Sequence, residues 1–413
     1  MITKTKTSPI TTAPQACPRW RNLARALFIV ATLLACKGGS KEDAKQEAEA
    51  DPTGVVQVKI DEVRDLVKEG EPITAAQYEK LILAHATCEV TDNGIDGKCE
   101  AVKILRESMN RSQLAKDVFG GNTSLGQKLI GHSSPAVRIK AAEMMGSLLG
   151  TAKSSQTVLV EAARKEQHPA VLTAMIRTIR NDGARNADVG KLLLELADHT
   201  NPKIRTEAVY ALSSTWNREL KGGPEKLIAM MEGDADAGVR KAACEYAGKL
   251  GDAKLFATYQ KLLKQKGDED LWGKCFQGLV AMWADYPLYG NSHQGAYQLT
   301  LQLLEQTPRT DKTPPWFVMS TFGHLGSKTN DKLKEWKAKA TWYKPDALRK
   351  ALIAVVGDSK VNWMARTGAT KSLVELGATK ADFQKLRKPL GDAPKGTDSH
   401  VAKELDTAIA KAP

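Results

Sequence analysis

The sequence predicts an all-α fold in which helical hairpins stack along one axis. Four segments that begin near a proline or an aspartate repeat one apolar pattern, and their anchors Val137, Val171, Ile204 and Val239 lie 34, 33 and 35 residues apart. Between these segments run others with apolar residues at helical spacing. No stretch alternates apolar and polar residues as a half-buried β-strand would. Each unit is therefore expected to be a helix, a turn and a second helix.

The predicted elements follow one another along the chain in caps and repeats. One helix pair cannot bury both of its apolar stripes, so neighbouring pairs have to stack into one continuous core. In the N-terminal cap we expect helices over 56–67, 74–86 and 99–109, with Thr74 and Gln77 forming a capping box. The expected regions are a helical N-terminal cap with a disulfide loop (55–124), regular repeats (125–283), irregular aromatic-rich repeats (284–378) and C-terminal capping helices (379–413).

The pattern Pro-x-Val-Arg-x-x-Ala, closed by Leu or Gly, resembles the HEAT repeats of the armadillo-like class, including the PBS-lyase type. The resemblance implies a right-handed α-solenoid of about seven to eight HEAT-like hairpins with helical caps. In HEAT repeats the arginine position commonly carries a structural ladder to Asp or Asn in the neighbouring turn, and contact with a ligand is the alternative. The arginines at this position are Arg138, Arg205, Arg240 and Arg366, and their candidate partners are Asn201, Asp234 and Asp236.

Residues 1–35 have the pattern of a lipoprotein signal peptide. They carry five basic residues and no acidic one, and they end in a ten-residue apolar run, 26–35. That run is too short to span a bilayer, which takes about 20 residues, but it fits a secretory signal. Leu33-Leu34-Ala35-Cys36 resembles the lipobox of bacterial lipoproteins, which implies that Cys36 is diacylated and becomes the N-terminus. An ordinary signal peptide is the alternative.

The residues after Cys36 are expected to tether the folded part. Residues 36–54 contain Gly, Ser, Pro and mixed charges but no large apolar side chain, a composition typical of a flexible linker. Lys37 follows the cysteine, and in the lipoproteins that this chain resembles this implies sorting to the outer membrane. We therefore expect a lipid-anchored protein on the periplasmic face or the cell surface.

Composition and charge exclude several classes of protein. The chain is 42% hydrophobic and 26% charged, which excludes extensive disorder. It has no 18-residue uncharged apolar run, which excludes a multi-spanning membrane protein. The net charge is +12, and five of the basic residues lie in 1–35. Without them the excess of basic over acidic residues is small, so a nucleic-acid partner is not expected.

Four cysteines remain beyond Cys36, and an exported protein is expected to pair an even number. Cys88 and Cys99 bracket a Gly- and Asp-rich loop that can turn back on itself, so we predict that they form a disulfide. A calcium loop is the alternative for this segment, although Gly94 stands at a ligand position. Cys244 and Cys275 lie about one repeat apart and either pair across neighbouring helices or remain buried thiols.

The sequence indicates no catalytic or metal site. His132, His168 and His199 recur in turns, but equivalent positions of stacked helices lie about 8–10 Å apart, too far to share one zinc ion. We interpret them as turn residues. No nucleophile, zinc-protease or phosphate-binding motif is present. The expectation is a protein that is not an enzyme, with no metal and no cofactor.

The best candidates for partner contacts are aromatic. More than half of the chain's aromatic residues fall within 272–363, where the connections are least regular. Binding in solenoids often uses inter-repeat loops, and exposed Trp and Tyr anchor interfaces. Tyr286, Tyr289 and Trp316 lie in such connections and are the predicted partner-binding residues. The alternative is that large side chains fill gaps between irregular repeats.

Together these patterns predict a non-enzymatic, membrane-anchored scaffold that binds a protein partner in the cell envelope through its concave face. Two other functions remain open, besides a structural lipoprotein with no specific partner. One is an envelope lipoprotein that binds glycan or peptidoglycan through the aromatic residues. The other is an enzyme of the lyase type, since HEAT-like repeats also occur in relatives of lyases.

Overall fold

The computed structural model describes residues 58–64, 74–110, 123–146, 153–265, 267–284, 294–305 and 340–413. The chain divides into two compact units, 1–49 and 50–413, and all described residues lie in the second. In its described part the second unit is an all-α stack of helix pairs. In the described part its β-structure is limited to one two-stranded hairpin, β1 (Val90–Thr91) and β2 (Gly94–Ile95).

The described α-helices are numbered in chain order. The N-terminal cap contains α1 (Ile60–Arg64), α2 (Ala75–Leu83) and α3 (Glu100–Asn110). The regular repeats contain α4 (Thr123–Leu129), α5 (Pro135–Gly146), α6 (Lys153–Lys165), α7 (Pro169–Ile179), α8 (Ala187–Leu196), α9 (Pro202–Leu212), α10 (Gly223–Gly233), α11 (Ala237–Ala247), α12 (Ala253–Leu262) and α13 (Glu269–Ala284). The later helices are α14 (Gln294–Glu305), α15 (Pro345–Gly357), α16 (Trp363–Glu375), α17 (Lys380–Arg387) and α18 (Asp398–Lys411).

The regular repeats form two layers. Helices α5, α7, α9, α11 and α13 pack side by side, each against the next, and we call them the first layer. Helices α4, α6, α8, α10 and α12 form the second layer, and each packs on the first-layer helix that follows it in the chain. This is the arrangement that stacked helix pairs require, because every pair then covers the apolar stripe of its neighbour.

The core runs between the two layers. The four anchors Val137, Val171, Ile204 and Val239 are fully buried, as their spacing predicted. The start of each first-layer helix is fixed by a proline or by a side-chain cap, for example Asn201 on α9 and Asp236 on α11. The capping box that Thr74 forms with Gln77 is also present at the start of α2.

Helices α11 and α13 approach each other closely enough that their backbones touch. A Cβ atom on Gly248 would overlap the carbonyl of Gly278, and one on Gly278 would overlap the carbonyl of Cys244. The Cys244 and Cys275 sulfurs are joined in a disulfide beside this contact, with their Cα atoms 4.5 Å apart. Only glycine permits this approach, so two small residues and one covalent bond fix the packing of these helices.

Within the described ranges, the β-hairpin is the one element that departs from the all-helical expectation. Val90 pairs with Ile95 and Thr91 pairs with Gly94, and Gly94 adopts a positive φ of 113°. Each strand is two residues long, which is too short to show the alternation that marks a strand in sequence. The helix expected over 74–86 also ends earlier, at Leu83, and continues as a 3-10 turn over Ala84–Thr87.

Candidate binding groove

A groove lies between the hairpin and the first layer. Its volume is about 670 Å³. The hairpin and α3 form one wall, and α5 and α7 form the other. Its lining is mostly polar and charged, and we call it the hairpin groove. The residues used below are Asp92, Ile95, Arg106, Lys140, Glu143, Thr173, Arg177 and Lys203.

The hairpin is held at both of its ends. At its base the Cys88 and Cys99 sulfurs are joined in a disulfide, with their Cα atoms 5.6 Å apart. At its tip the ammonium group of Lys203, near the start of α9, donates to the carbonyl of Asp92 and to Oδ1 of Asn93, the latter at 3.3 Å. The hairpin therefore extends from the N-terminal cap to the third first-layer helix, with α7 between them.

Ion pairs set the positions of the charged side chains on the helical wall. Arg177 donates from Nε to Oε2 of Glu207 at 3.1 Å and from Nη2 to Oε1 at 2.5 Å, which joins α7 to α9. This bond to Glu207 raises the pKa of Arg177 above its ordinary value. Lys140 donates to Glu143 at 2.8 Å, one turn along α5. These side chains are thus preset, so a ligand would meet an ordered polar surface.

Two threonines of α7 differ in their bonding. The Thr178 hydroxyl is within hydrogen-bond distance of the carbonyls of Ala142, at 3.0 Å, and Ala174, at 2.9 Å. The Thr173 side chain is buried, and its hydroxyl has no hydrogen-bond partner in the described part of the protein. An unpaired buried hydroxyl is costly, so a polar atom in the groove would relieve this cost.

Beyond the groove, the first layer carries partly buried tyrosines and a largely buried ion pair. The rings of Tyr210 and Tyr246 meet edge to face, with centroids 4.8 Å apart, and the Lys249 ammonium lies 4.5 Å from the Tyr246 ring centre. Lys274 of α13 pairs with Glu245 of α11 at 2.5 Å. The polar character of the groove therefore continues along the layer.

The predicted arginine ladder lies at the turns that enter first-layer helices. Arg205 holds Asp234 of the next turn with two hydrogen bonds and also donates to the carbonyls of His199, at 2.9 Å, and Thr200, at 3.1 Å. Arg138 binds Glu166 in the same way, at 2.7 and 3.0 Å. These arginines contact protein groups on every side, an arrangement suited to joining repeats.

The other two ladder arginines bind differently. Arg240 donates to the carbonyl of Asp234 at 2.6 Å. Arg366 is buried and donates to the carbonyl of Val356 at 2.9 Å and to Asp398 at 2.7 Å, at the start of α18. Of the three partners considered from the sequence, Asp234 binds Arg205, whereas Asn201 and Asp236 accept the first amides of α9 and α11 instead.

Glu166 binds Arg138, but it was not among the partners expected from the sequence. It occupies the same place before its helix as Asp234, five residues ahead of the anchors Val171 and Val239. In both turns this carboxylate also accepts the amide two residues on, at 2.7 Å from His168 and 2.8 Å from Asp236. Alignment of the residues that precede the anchors could have found it.

The turn histidines serve as helix-entry acceptors. Nδ1 of His132 accepts the Ser134 amide at 3.1 Å, and Nδ1 of His199 accepts the Asn201 amide at 3.0 Å. His168 caps α7 through the Ala170 amide at 3.3 Å. Across the ranges that the structure describes, no three His, Cys, Asp or Glu side chains group as a metal site.

Among the histidines that the structure describes, His85 is the one in the core. It lies in the 3-10 turn after α2, with Nδ1 2.8 Å from the Leu81 carbonyl, while Nε2 has no partner in the described structure. Burial lowers the pKa of His85 to about 4, and the nearby positive charge of Lys140 acts in the same direction. His85 is therefore neutral in the folded protein near pH 7.

The predicted partner residues Tyr286, Tyr289 and Trp316 lie outside the described residues, as does Cys36. Other aromatics of the same stretch pack on one another. Trp283 and Tyr297 are buried with ring centroids 5.0 Å apart, and the Tyr297 hydroxyl donates to the Lys344 carbonyl at 2.7 Å. These rings fill the space between α13, α14 and α15.

An exposed tryptophan occurs elsewhere. Trp216, in the turn between α9 and α10, is 48% exposed, and the Arg185 guanidinium lies 4.6 Å from its ring centre. A single aromatic residue in a turn carries no distinctive pattern, so the sequence did not indicate it. No helix in the described ranges is long and apolar enough to cross a membrane.

Comparison with known proteins finds likeness among solved structures. No protein-family model matches the chain, and no curated protein matches it. Among solved structures the chain is similar to the complex of CpcE and CpcF of phycocyanin lyase from Nostoc sp. PCC7120. The identity is 16%, the TM-score is 0.35, and the match covers 69% of this chain and 94% of that chain.

This likeness corrects one expectation. The sequence predicted that the chain is not an enzyme. That prediction is wrong in excluding enzymes, because the solved structure to which the chain is similar belongs to a lyase. The absence of familiar motifs was its main basis, and residues brought together by stacked repeats need no contiguous motif. A likeness at this TM-score and identity assigns no activity to this chain.

Proposed function

We propose that this chain is a binding scaffold that holds a protein partner in the hairpin groove. The observation that carries the proposal is the bond between Lys203 and the hairpin tip. It keeps the hairpin extended across α7, so that a groove with an ordered wall is present before any partner arrives. Preorganisation of this kind lowers the entropy cost of binding.

The lining favours a polypeptide as the occupant. Sites for small organic molecules are usually lined by hydrophobic and aromatic side chains, whereas charged and hydroxyl groups dominate this groove. The partly buried tyrosines that continue along the first layer offer a longer surface for the same partner. Trp, Tyr and Arg are the side chains most often found at the energetic centres of protein interfaces.

We also propose that Cys36 carries a lipid that anchors the scaffold to the outer membrane. The support is the resemblance of residues 33–36 to a lipobox and the linker-like composition that follows. Cells fed radioactive palmitate should label the wild-type protein and leave Cys36→Ser unlabelled. Equal labelling of both proteins would refute the anchor and leave the groove proposal untouched.

In-cell photo-crosslinking tests the partner. A crosslinking amino acid would replace Arg106 in the groove or Trp316 in the predicted partner-binding set, and Lys191 on α8 of the second layer would be the control. We expect one dominant protein adduct from Arg106 that Lys191 does not give. The same adduct from Trp316 would extend the interface to that residue. No protein adduct from Arg106 would refute the groove as a protein-binding site.

A further inference from the structure

We infer that the hairpin groove binds its partner by strand addition: an extended acidic segment of the partner pairs with the free edge of β2. The inference rests on the proposed function and specifies the chemistry of the occupant. It depends on the direction of the backbone groups of Ile95, on the position of that edge, and on the polar groups opposite it.

The ladder pattern gives the direction of the backbone groups. In an antiparallel pair, hydrogen-bonded and non-hydrogen-bonded residue pairs alternate. The Asp96 amide donates to the Glu89 carbonyl at 3.0 Å, so this pair is hydrogen-bonded and the next one, Val90 with Ile95, is not. The N–H and C=O of Ile95 therefore point away from β1. Neither group has a hydrogen-bond partner among the described residues.

This free edge borders the groove. Gly94, Ile95 and Gly97 line the groove, and no residue of β1 does. An edge strand with unpaired backbone groups is a template for a further strand, and peptide recognition by strand addition uses such an edge. A segment lying in the groove would thus pair with Ile95 and have the polar side chains of α5 and α7 within reach.

The helical wall supplies donors that are not yet used. The Thr173 hydroxyl is buried without a partner. Arg177 uses Nε and Nη2 for Glu207, its Nη1 donates no hydrogen bond within the described residues, and its side chain is 58% exposed. Carboxylate oxygens accept from both kinds of group, and bonds to charged donors are the stronger ones.

The charge of the groove selects an acidic segment. Its lining contains four cations against the two carboxylates of Asp92 and Glu143, and cations still exceed carboxylates when Glu207 is included. The partners of Lys203 are neutral oxygens, so its charge is not neutralised by the contacts it makes. The four cations are Arg106, Lys140, Arg177 and Lys203.

Synthetic peptides separate strand addition from simple charge attraction. The probe is a fluorescein-labelled octapeptide of four Glu-Thr repeats, and fluorescence anisotropy measures its affinity for the full chain. We expect it to bind at least tenfold more tightly than an octapeptide of four Lys-Thr repeats. We also expect at least a tenfold loss when every backbone amide of the Glu-Thr peptide is N-methylated. Equal affinity for the methylated peptide, or no binding of the Glu-Thr peptide, would overturn the inference.

Variants of the chain locate the site without disturbing the fold. Thr173→Val removes the unpaired hydroxyl and keeps the shape, so the unfolding free energy should stay level or rise while affinity for the Glu-Thr peptide falls about three- to tenfold. Thr206→Val on α9, whose hydroxyl bonds to the Pro202 carbonyl, is the matched control and should bind normally. Arg106→Gln should weaken binding and reduce its salt dependence, and Lys191→Gln should not. Unchanged affinity in Thr173→Val and Arg106→Gln would place the peptide elsewhere.

The crosslinking test and the peptide test can refute their two proposals independently. A protein adduct from Arg106 combined with equal binding of the methylated peptide would preserve the scaffold and refute strand addition. Peptide binding with the expected preferences but no cellular adduct would preserve the chemistry of the groove and refute the protein-partner function.

Discussion

Arg205 and Asp234 are joined by two parallel hydrogen bonds of 2.8 Å each, which tie the start of α9 to the turn before α11. The same relationship links Arg138 to Glu166. In the repeat between them both members differ: Leu172 stands at the arginine position, and His199 at the carboxylate position of the next turn. Both charges are absent from that repeat, so neither is buried there without its partner. Arg240, by contrast, keeps the arginine and donates to the carbonyl of Asp234.

A double-variant cycle tests this coupling. Arg205→Leu and Asp234→His should each lower the unfolding free energy by about 2–3 kcal/mol, because each leaves a partly buried charge without its partner. The double variant reproduces the Leu172–His199 combination and should recover about 1–2 kcal/mol of the summed loss. Urea unfolding measures all four proteins. Strictly additive losses would show that the ion pair contributes no coupling.

The buried His85 predicts a loss of stability in mild acid. Its folded pKa of about 4 lies below the unfolded value of about 6.5, so folding favours the neutral ring. The contribution is complete above pH 6.5 and falls as the pH drops to about 4, because there the unfolded chain binds a proton that the folded protein does not. The loss amounts to about 3 kcal/mol.

His85→Phe should flatten the dependence of unfolding free energy on pH between 6.5 and 4. Burial also lowers the pKa of His132, with Arg138 acting in the same direction, so some slope should remain. His132→Asn keeps an acceptor for the Ser134 amide and serves as the control, with a smaller flattening. Urea titrations at several pH values give the answer, and an unchanged slope in His85→Phe would contradict the assignment.

Gly278 should tolerate no side chain. A Cβ atom there would overlap the carbonyl of Cys244 and the ring of Tyr259, both fixed in the core. Gly278→Ala should therefore lower the unfolding free energy by about 3 kcal/mol or more, because helices α11 and α13 must separate. Gly233→Ala is the matched control, since nothing lies within 4 Å of its Cβ position. Thermal unfolding should show a large fall for the first variant and little change for the second.

The disulfide at the base of the hairpin should stabilise the N-terminal cap. Replacing Cys88 and Cys99 together with Ser should cost about 2–3 kcal/mol by the loop-entropy estimate, since the bond closes an 11-residue separation. Hydrogen exchange should accelerate at amides 89–97 more than in α10, which the hairpin does not touch. Equal protection of the hairpin in both proteins would mean that the bond to Lys203 alone holds it.

The sequence predicted the helices well because their signals are local. The anchors Val137, Val171, Ile204 and Val239 recur at the repeat length, and each lies near a residue that starts a helix. The short strands around Gly94 were not predicted, because two residues cannot display a period. Trp216 was missed for a related reason: nothing in a turn sequence distinguishes an exposed tryptophan from a buried one.

By itself the sequence determined the repeat, the two-layer helical stack and the places where helices begin, because periodicity and capping act within a few residues. Only the tertiary structure decided which atoms meet over long separations. Lys203 reaches the hairpin from more than 100 residues away, and the Thr173 hydroxyl is left unpaired beneath it. Such contacts depend on how far each helix pair is rotated relative to the next. That rotation is set by the packing of whole helices, so no short stretch of sequence contains it.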